Sequence, residues 1–145
     1  MSTPFRLQVP RGVVEEMLAQ AQAELPNECV GLLAGQVTEE GGRRLGRVVA
    51  RYPLVNAAAS PREYLSDPAS MFAAHKDMRR RGLDVLAIYH SHPTSEAVPS
   101  RTDLARNYSA EVVNFIISLA GAEPQVRGWW LTDSDYREAE WDCAG

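Results

Sequence analysis

Apolar residues recur along this chain in two spacings, every second residue and every third or fourth residue. Alternation over residues 5–9 predicts a short strand. Helical spacing over residues 11–24, opened by a proline and closed by another, predicts an amphipathic helix. Residues 29–35 form a nearly continuous apolar run. Its length and glycines favour a strand buried on both faces, although periodicity alone leaves a helix open.

The rest of the chain continues this mixture. A glycine-rich hairpin turn at residues 39–42 is followed by predicted strands over residues 43–53, 64–65, 84–92, 111–119, 125–131 and 136–141. A second helix is predicted between an N-cap at Ser66 or Asp67 and Gly82, and a third over residues 100–107. This order predicts one α/β domain over residues 1–145, with a mixed sheet and helices packed on it.

Two side-chain patterns refine the predicted core. In the second helix, an apolar stripe is expected from four residues, Met71, Phe72, His75 and Met78. In the strand over residues 125–131, Trp129 and Trp130 point to opposite faces, so at most one is expected in the core and the other in a substrate groove.

Composition narrows the function classes. The 145 residues suffice for one domain with a real core. A formal net charge of −4 gives no basic footprint for nucleic acid, and no apolar run reaches the length of a membrane span. Without a signal peptide at the N-terminus, a cytoplasmic protein is expected. The two cysteines, Cys29 and Cys143, fit that compartment better than a disulfide framework.

Candidate chemistry is concentrated after the predicted strand over residues 84–92. His90 and His92 are two positions apart, so both imidazoles leave the strand on the same side. Asp103 follows one loop later and can add a carboxylate. Two histidines and one carboxylate leave a tetrahedral Zn²⁺ with one open position, which is the catalytic arrangement. The same donors also suit Fe(II), and that alternative stays open.

Ser100 and Asp103 have a second explanation. A serine followed three residues later by an acidic residue is typical of a capping box at a helix start. The two interpretations are compatible, because a capped first turn would hold Asp103 rigidly. Ser100 could also donate a hydrogen bond to an oxyanion beside the metal.

Glu28 is the candidate general acid and base. Its local sequence indicates only a surface turn residue. A zinc-bound water, however, needs a carboxylate that is not a ligand to take its proton. Neither an HExxH helix nor the Pro-Cys-x-x-Cys pattern of zinc deaminases is present to supply one. Glu28 therefore remains the best candidate.

Together, Glu28 before the apolar run, the sequence His-Ser-His-Pro from His90 and the sequence Ser-Arg-Thr-Asp from Ser100 resemble the JAMM (MPN-plus) metalloprotease signature. The resemblance covers nearly the whole chain. It implies an α/β/α fold with a mixed sheet, similar to that of the cytidine deaminases. It also implies Zn²⁺ bound by His90, His92 and Asp103, with Glu28 as acid and base and Ser100 steadying the tetrahedral intermediate.

The resemblance further implies a peptidase or isopeptidase. Members of this family cleave the bond after the C-terminal Gly-Gly of ubiquitin or ubiquitin-like proteins. The loop over residues 94–99 lacks the Cys and Trp of eukaryotic members and looks like that of stand-alone bacterial members that process sulfur-carrier proteins. One such type releases cysteine from its carrier during cysteine biosynthesis. A homodimer is left open. The competing hypothesis is a non-catalytic MPN-type interaction module.

Overall fold

The computed structural model describes residues 3–145, and this part of the chain contains eight strands and three helices. The strands are β1 (Arg6–Pro10), β2 (Val30–Glu40), β3 (Arg43–Leu54), β4 (Asp84–His92), β5 (Val113–Ser118), β6 (Gln125–Leu131), β7 (Tyr136–Glu138) and β8 (Trp141–Ala144). The helices are α1 (Arg11–Ala23), α2 (Pro68–Arg81) and α3 (Arg101–Ala105). No helix in residues 3–145 combines the length and apolar character that crossing a membrane requires.

All eight strands form one mixed sheet, in the order β7-β6-β5-β4-β2-β3-β1-β8. The pairs β4–β5, β1–β3 and β1–β8 are parallel, and the other neighbours are antiparallel. Strand β4 therefore lies in the interior of the sheet, between β2 and β5. Because an interior strand has both edges paired, its C-terminal end is a rigid place from which to present side chains.

The predicted local signals are found at the ends of the elements. Gly41 and Gly42 have φ angles of 61° and 79° in the β2–β3 hairpin, where other residues would be strained. Helix α2 begins after Asp67, whose side chain accepts a hydrogen bond from Ser70 N, and ends at Gly82 in the left-handed conformation.

The sheet separates two apolar layers. On one face, α1 buries Met17 and Ala21 against a large cluster that includes Tyr89 and Phe115. On the other face, α2 buries Ala74 and Met78. A smaller cluster around Trp129 also lies on that second face. Its member Ile116 pairs with His90 in the β4–β5 ladder, and Trp129 pairs with β5 two positions away from Ile116. All three side chains therefore point to the same face of the sheet. The predicted α/β class with a mixed sheet and helices on both faces is confirmed.

The end of the chain differs from the prediction of one strand over residues 136–141. The structure has two strands there, and they join opposite edges of the sheet. Tyr136–Glu138 pairs with β6, whereas Trp141–Ala144 pairs in parallel with β1. Two residues bridge the edges, since Ala139 N donates to Gly128 O and Glu140 O accepts from Leu7 N. The sheet therefore curves until its two edges are adjacent.

Three smaller predictions were wrong. Residues 64–65 form no strand; only an isolated bridge joins Asn56 to Ser66. Phe72 is 71% exposed rather than part of the α2 stripe, because Ala74 and Met78 define the buried side of that helix. Both tryptophans of β6 are buried, since the two faces of the sheet are each covered.

Candidate active site

Strand β4 delivers two imidazoles to one buried point. His90 and His92 are both buried, and their Nε2 atoms lie 3.2 Å apart. They leave the same side of the strand, as the alternation of side chains predicts. Two unprotonated ring nitrogens at this distance repel each other, so the arrangement requires a proton or a cation between them.

Helix α3 brings a carboxylate to the same point. Asp103 Oδ1 lies 3.1 Å from His90 Nε2, and Asp103 Oδ2 lies 3.1 Å from His92 Nε2. Asp103 is also the third residue of the helix and completes a capping box with Ser100. Ser100 N donates to Asp103 Oδ2 at 2.9 Å, and Asp103 N donates to Ser100 Oγ at 3.1 Å. The capping box thus orients the Asp103 carboxylate towards the imidazoles. The capping interpretation is confirmed, and it is compatible with Asp103 as a metal ligand.

The loop after β4 fixes the tautomer of one imidazole. His92 Nδ1 lies 2.8 Å from the backbone oxygen of Glu96, which can only accept a hydrogen bond. Nδ1 therefore carries a proton whether the ring is charged or neutral. Nε2 is left to donate to Asp103 when the ring is protonated, or to offer its lone pair to a cation when the ring is neutral. His90 Nδ1 is buried with no hydrogen-bond partner within residues 3–145.

The three donor groups fit a divalent metal ion. The ligand atoms of His90, His92 and Asp103 lie within 4.8 Å of one another. Donors at 2.0–2.1 Å from a tetrahedral Zn²⁺ are separated by about 3.3 Å, close to the spacing observed here. Three protein ligands leave one position for water or substrate, whereas a structural zinc site would use four.

Electrostatic interactions at the site favour an ionised Asp103 beside a protonated His92. Burial alone would raise the pKa of Asp103, but the adjacent His90 and His92 imidazoles and the Ser100 N–H outweigh it, so its pKa is lowered well below the usual range. Burial likewise opposes a charge on His92. Its hydrogen bonds to Asp103 and to the Glu96 carbonyl outweigh that effect and raise its pKa.

Glu28 lies beside this cluster. Val30 pairs with His90 across the β2–β4 ladder, and Ser91 N donates to Cys29 O, so Glu28 extends the ladder opposite His92. The side chain is only 3% exposed, and its Oε1 has no hydrogen-bond partner in the described chain. Burial raises its pKa to about 8; neighbouring His92 lowers it, and Asp103 raises it further.

The loop over residues 56–66 holds the backbone of Glu28. Glu28 N donates to Ser60 O at 2.8 Å, and Asn56 Nδ2 donates to Glu28 O at 3.0 Å. The same amide donates to Glu63 O at 3.1 Å. Asn56 was not predicted from the sequence, where it appears only as a loop residue. Its four hydrogen bonds make this loop an ordered wall of the site.

Tyr64 is the second residue that sequence patterns did not identify. Its ring lies against the His90 imidazole, with ring centroids 4.8 Å apart and planes inclined by 32°. Burial and the nearby Asp103 and Glu28 carboxylates raise the pKa of its phenol, so the group stays protonated. No local signal marks Tyr64, because its contact with His90 arises from the folding of the loop back onto β4.

The remaining candidates have ordinary surroundings. Ser100 is exposed at the N-cap, where its hydroxyl accepts from Asp103 N and keeps one proton to donate. His75 belongs to α2, and its Nε2 lies 3.3 Å from Tyr108 Oη. Cys29 is buried and Cys143 is exposed, and both are free thiols. Burial raises the pKa of Cys29 to about 11, which disfavours a nucleophilic thiolate.

The chain is similar to known proteins in sequence and in structure. A family model described as prokaryotic homologs of the JAB domain matches residues 10–132. A probable TtuB-protein conjugate cleaving protease from Thermus thermophilus is 46% identical over 99 residues, which are 68% of this chain and 61% of that protein. A CysO-cysteine peptidase from Mycobacterium tuberculosis is 35% identical over 102 residues, which are 70% of this chain and 66% of that protein. The match therefore spans less than two thirds of either relative.

Two further comparisons extend over almost the full chain. A desampylase from Haloferax volcanii is 28% identical over 141 residues, covering 94% of this chain and 95% of that protein. A solution structure from Desulfitobacterium hafniense superposes with a TM-score of 0.82 and 34% identity, covering 95% of this chain and 92% of that one. The resemblance to JAMM (MPN-plus) proteins is thereby confirmed, and the chain belongs to the prokaryotic JAB-domain family.

Proposed function

We propose that residues 1–145 form a zinc-dependent JAMM-type metallopeptidase domain that hydrolyses the bond after the C-terminal Gly-Gly of a ubiquitin-like or sulfur-carrier protein. The observation that carries this proposal is the meeting of three ligand residues, His90, His92 and Asp103, whose imidazole and carboxylate atoms contact one another at 3.1–3.2 Å. A buried carboxylate that is not one of these ligands, Glu28, lies next to them. The names of relatives, which include conjugate-cleaving proteases and peptidases, support a hydrolase acting on such conjugates.

His90, His92 and Asp103 would hold the zinc ion. Bound there, it would act as a Lewis acid that polarises the scissile carbonyl and makes water acidic enough to lose a proton near neutral pH. Glu28 would take that proton as the water oxygen bonds to the carbonyl carbon. It would then return the proton to the departing amine as the carbon–nitrogen bond breaks. A raised pKa suits a group that must both accept and donate near neutral pH.

Ser100 would complete the machinery by donating its remaining hydroxyl proton to the developing oxyanion. Its fixed position at the cap of α3, one turn from Asp103, keeps it beside the ligands. The Tyr64–His90 contact and the ordered loop over residues 56–66 would narrow the approach to the site. A narrow approach favours a tail of glycines, which can bind through main-chain hydrogen bonds alone.

A non-catalytic interaction module explains the site less well. Burying Glu28 without a hydrogen-bond partner on one of its oxygens costs free energy, and a scaffold would gain nothing from that cost. Fe(II) would bind to the same three ligands as Zn²⁺, so these ligands do not distinguish between the two metals.

The test is direct cleavage. Protein purified without chelators is analysed for metal. It is then incubated with small carrier proteins ending in Gly-Gly, either bare or extended by cysteine, by a peptide or by an isopeptide-linked lysine, and the products are read by intact mass. Carriers ending in Gly-Ala before the same extensions are the matched control. We expect zinc in the protein and release of the extension after Gly-Gly only. Zinc-free protein, or no cleavage of any extension, would contradict the proposal.

A further inference from the structure

Three consecutive carbonyl groups of the loop over residues 93–99 each accept a hydrogen bond from a side chain of the sheet. Ser118 Oγ of β5 donates to Ser95 O at 2.6 Å. His92 Nδ1 donates to Glu96 O at 2.8 Å. Trp129 Nε1 of β6 donates to Ala97 O at 2.9 Å. The carbonyl that fixes the tautomer of His92 is thus held between two anchored neighbours.

Packing ties the same indole to the helix that carries the carboxylate. Trp129 is 5% exposed, and Ala97 is fully buried against it in the cluster that also holds Ile116 and Leu131. Leu104, the residue after Asp103, packs against this cluster. Asn107 Nδ2, just beyond α3, donates to Leu131 O at 2.9 Å. One cluster therefore supports both the loop behind His92 and the helix behind Asp103.

The adjacent tryptophan provides a natural comparison. Trp130 is equally well buried, at 1% exposed, but it faces the other layer of the sheet. Its Nε1 has no hydrogen-bond partner in the part of the chain that the structure describes. The two indoles thus share size, burial and strand, and differ in whether the N–H reaches the loop at the site.

We infer that Trp129 is a positioning residue for the metal site, which acts through Ala97 and Glu96 to keep the His92 imidazole in the tautomer and orientation that a metal ion needs. This inference rests on the proposed metal site. Groups that orient a ligand from behind commonly change metal affinity by 10–100-fold when removed. Trp129 lies one peptide unit further away, so an effect near the lower end is expected.

The experiment compares Trp129→Phe with Trp130→Phe in the full chain. Each change keeps an aromatic ring and removes one N–H, which is bonded to the loop only in the first case. Zinc affinity is measured by competition with a chromophoric chelator on stripped and reloaded protein. The His92 Nδ1–H signal is followed by NMR in ¹⁵N-histidine-labelled, metal-free protein. We expect Trp129→Phe to weaken zinc binding about tenfold and to broaden or abolish that signal, whereas Trp130→Phe changes neither.

A second variant tests the same inference if Trp129→Phe does not fold. Ser118→Ala removes the other anchor of the loop, at Ser95 O, without touching the core indole, and it should change zinc affinity and the His92 signal in the same direction. Equal zinc affinity and an intact His92 signal in Trp129→Phe, or in Ser118→Ala if Trp129→Phe does not fold, would overturn the inference. Failure of the wild-type protein to bind zinc would instead contradict the proposed function, and the metal-free NMR comparison would still test the positioning role.

Discussion

At the scale of single residues, Glu28 is the most informative side chain. A carboxyl group with a pKa of about 8 binds its proton more tightly in the folded chain than in the unfolded chain, where its pKa is near 4.5. Folding is therefore favoured by this group at low pH. As the pH rises from the unfolded pKa towards the folded pKa, this group lowers the free energy of unfolding by about 1.4 kcal/mol per pH unit.

Replacing Glu28 by Gln should remove this pH dependence. In metal-free protein, the melting temperature of Glu28→Gln should exceed that of the wild type, and the excess should grow from pH 5 to pH 8. Added zinc should shrink the difference, because a nearby cation stabilises the ionised carboxylate. Thermal unfolding in the presence of a chelator, repeated at several pH values, measures both effects. A difference that stays constant over this range would mean that Glu28 is not buried as described.

At the scale of elements, α3 combines a helix cap with a place at the candidate metal site. Its N-terminal capping box uses the same Asp103 carboxylate that faces the imidazoles. The capping box could be predicted from sequence, because it is a local pattern of spacing. The convergence with His90 and His92 was predicted from the residue types and from the family resemblance. No local pattern specifies its geometry, since it depends on β4 and α3 meeting across a loop.

Ser100→Ala should separate the capping role of Ser100 from its proposed role as an oxyanion donor. Losing the cap costs about 1 kcal/mol of folding free energy, and losing an oxyanion donor lowers the cleavage rate by roughly 10²–10³-fold. Asp67→Ala is the matched control, because Asp67 caps α2 through Ser70 N at 2.9 Å, outside the proposed machinery. Urea unfolding should give similar losses for both variants, and cleavage should fall in Ser100→Ala alone. Equal cleavage in the two variants would reduce Ser100 to a capping residue.

Strand β2 supplies a second test at this scale. A Cβ on Gly31 would lie 2.1 Å from the Tyr89 phenol, which reaches past this glycine to Gln20 and Arg51. Gly31→Ala should therefore destabilise the fold by about 3 kcal/mol. Gly12 in α1 has open space around it, so Gly12→Ala should stabilise by about 0.5–1 kcal/mol. Urea unfolding of both variants checks the contrast, and a tolerated Gly31→Ala would contradict this packing.

At the scale of the whole molecule, sequence patterns predicted the class of fold and most elements, because hydrophobic periodicity is local. The strands Asp84–His92 and Gln125–Leu131 have the predicted bounds. The split of the last strand could not be predicted, since β7 and β8 are neighbours in sequence but pair with opposite edges of the sheet. Likewise, Asn56 and Tyr64 contribute to the site only because the loop over residues 56–66 folds onto Glu28 and His90.

The central claim is that Glu28 moves a proton at a metal site which it does not help to build. It is tested most directly by measuring zinc content and cleavage of an extended Gly-Gly carrier on the same samples of wild type, Glu28→Gln and Glu63→Gln. Glu63 is a nearby half-buried carboxylate that pairs with Arg106 at 3.2 Å, so its variant is the control. We predict one zinc per chain in all three proteins, with cleavage reduced about 10²–10⁴-fold in Glu28→Gln alone. Wild-type cleavage by Glu28→Gln, or loss of its zinc, would contradict the account.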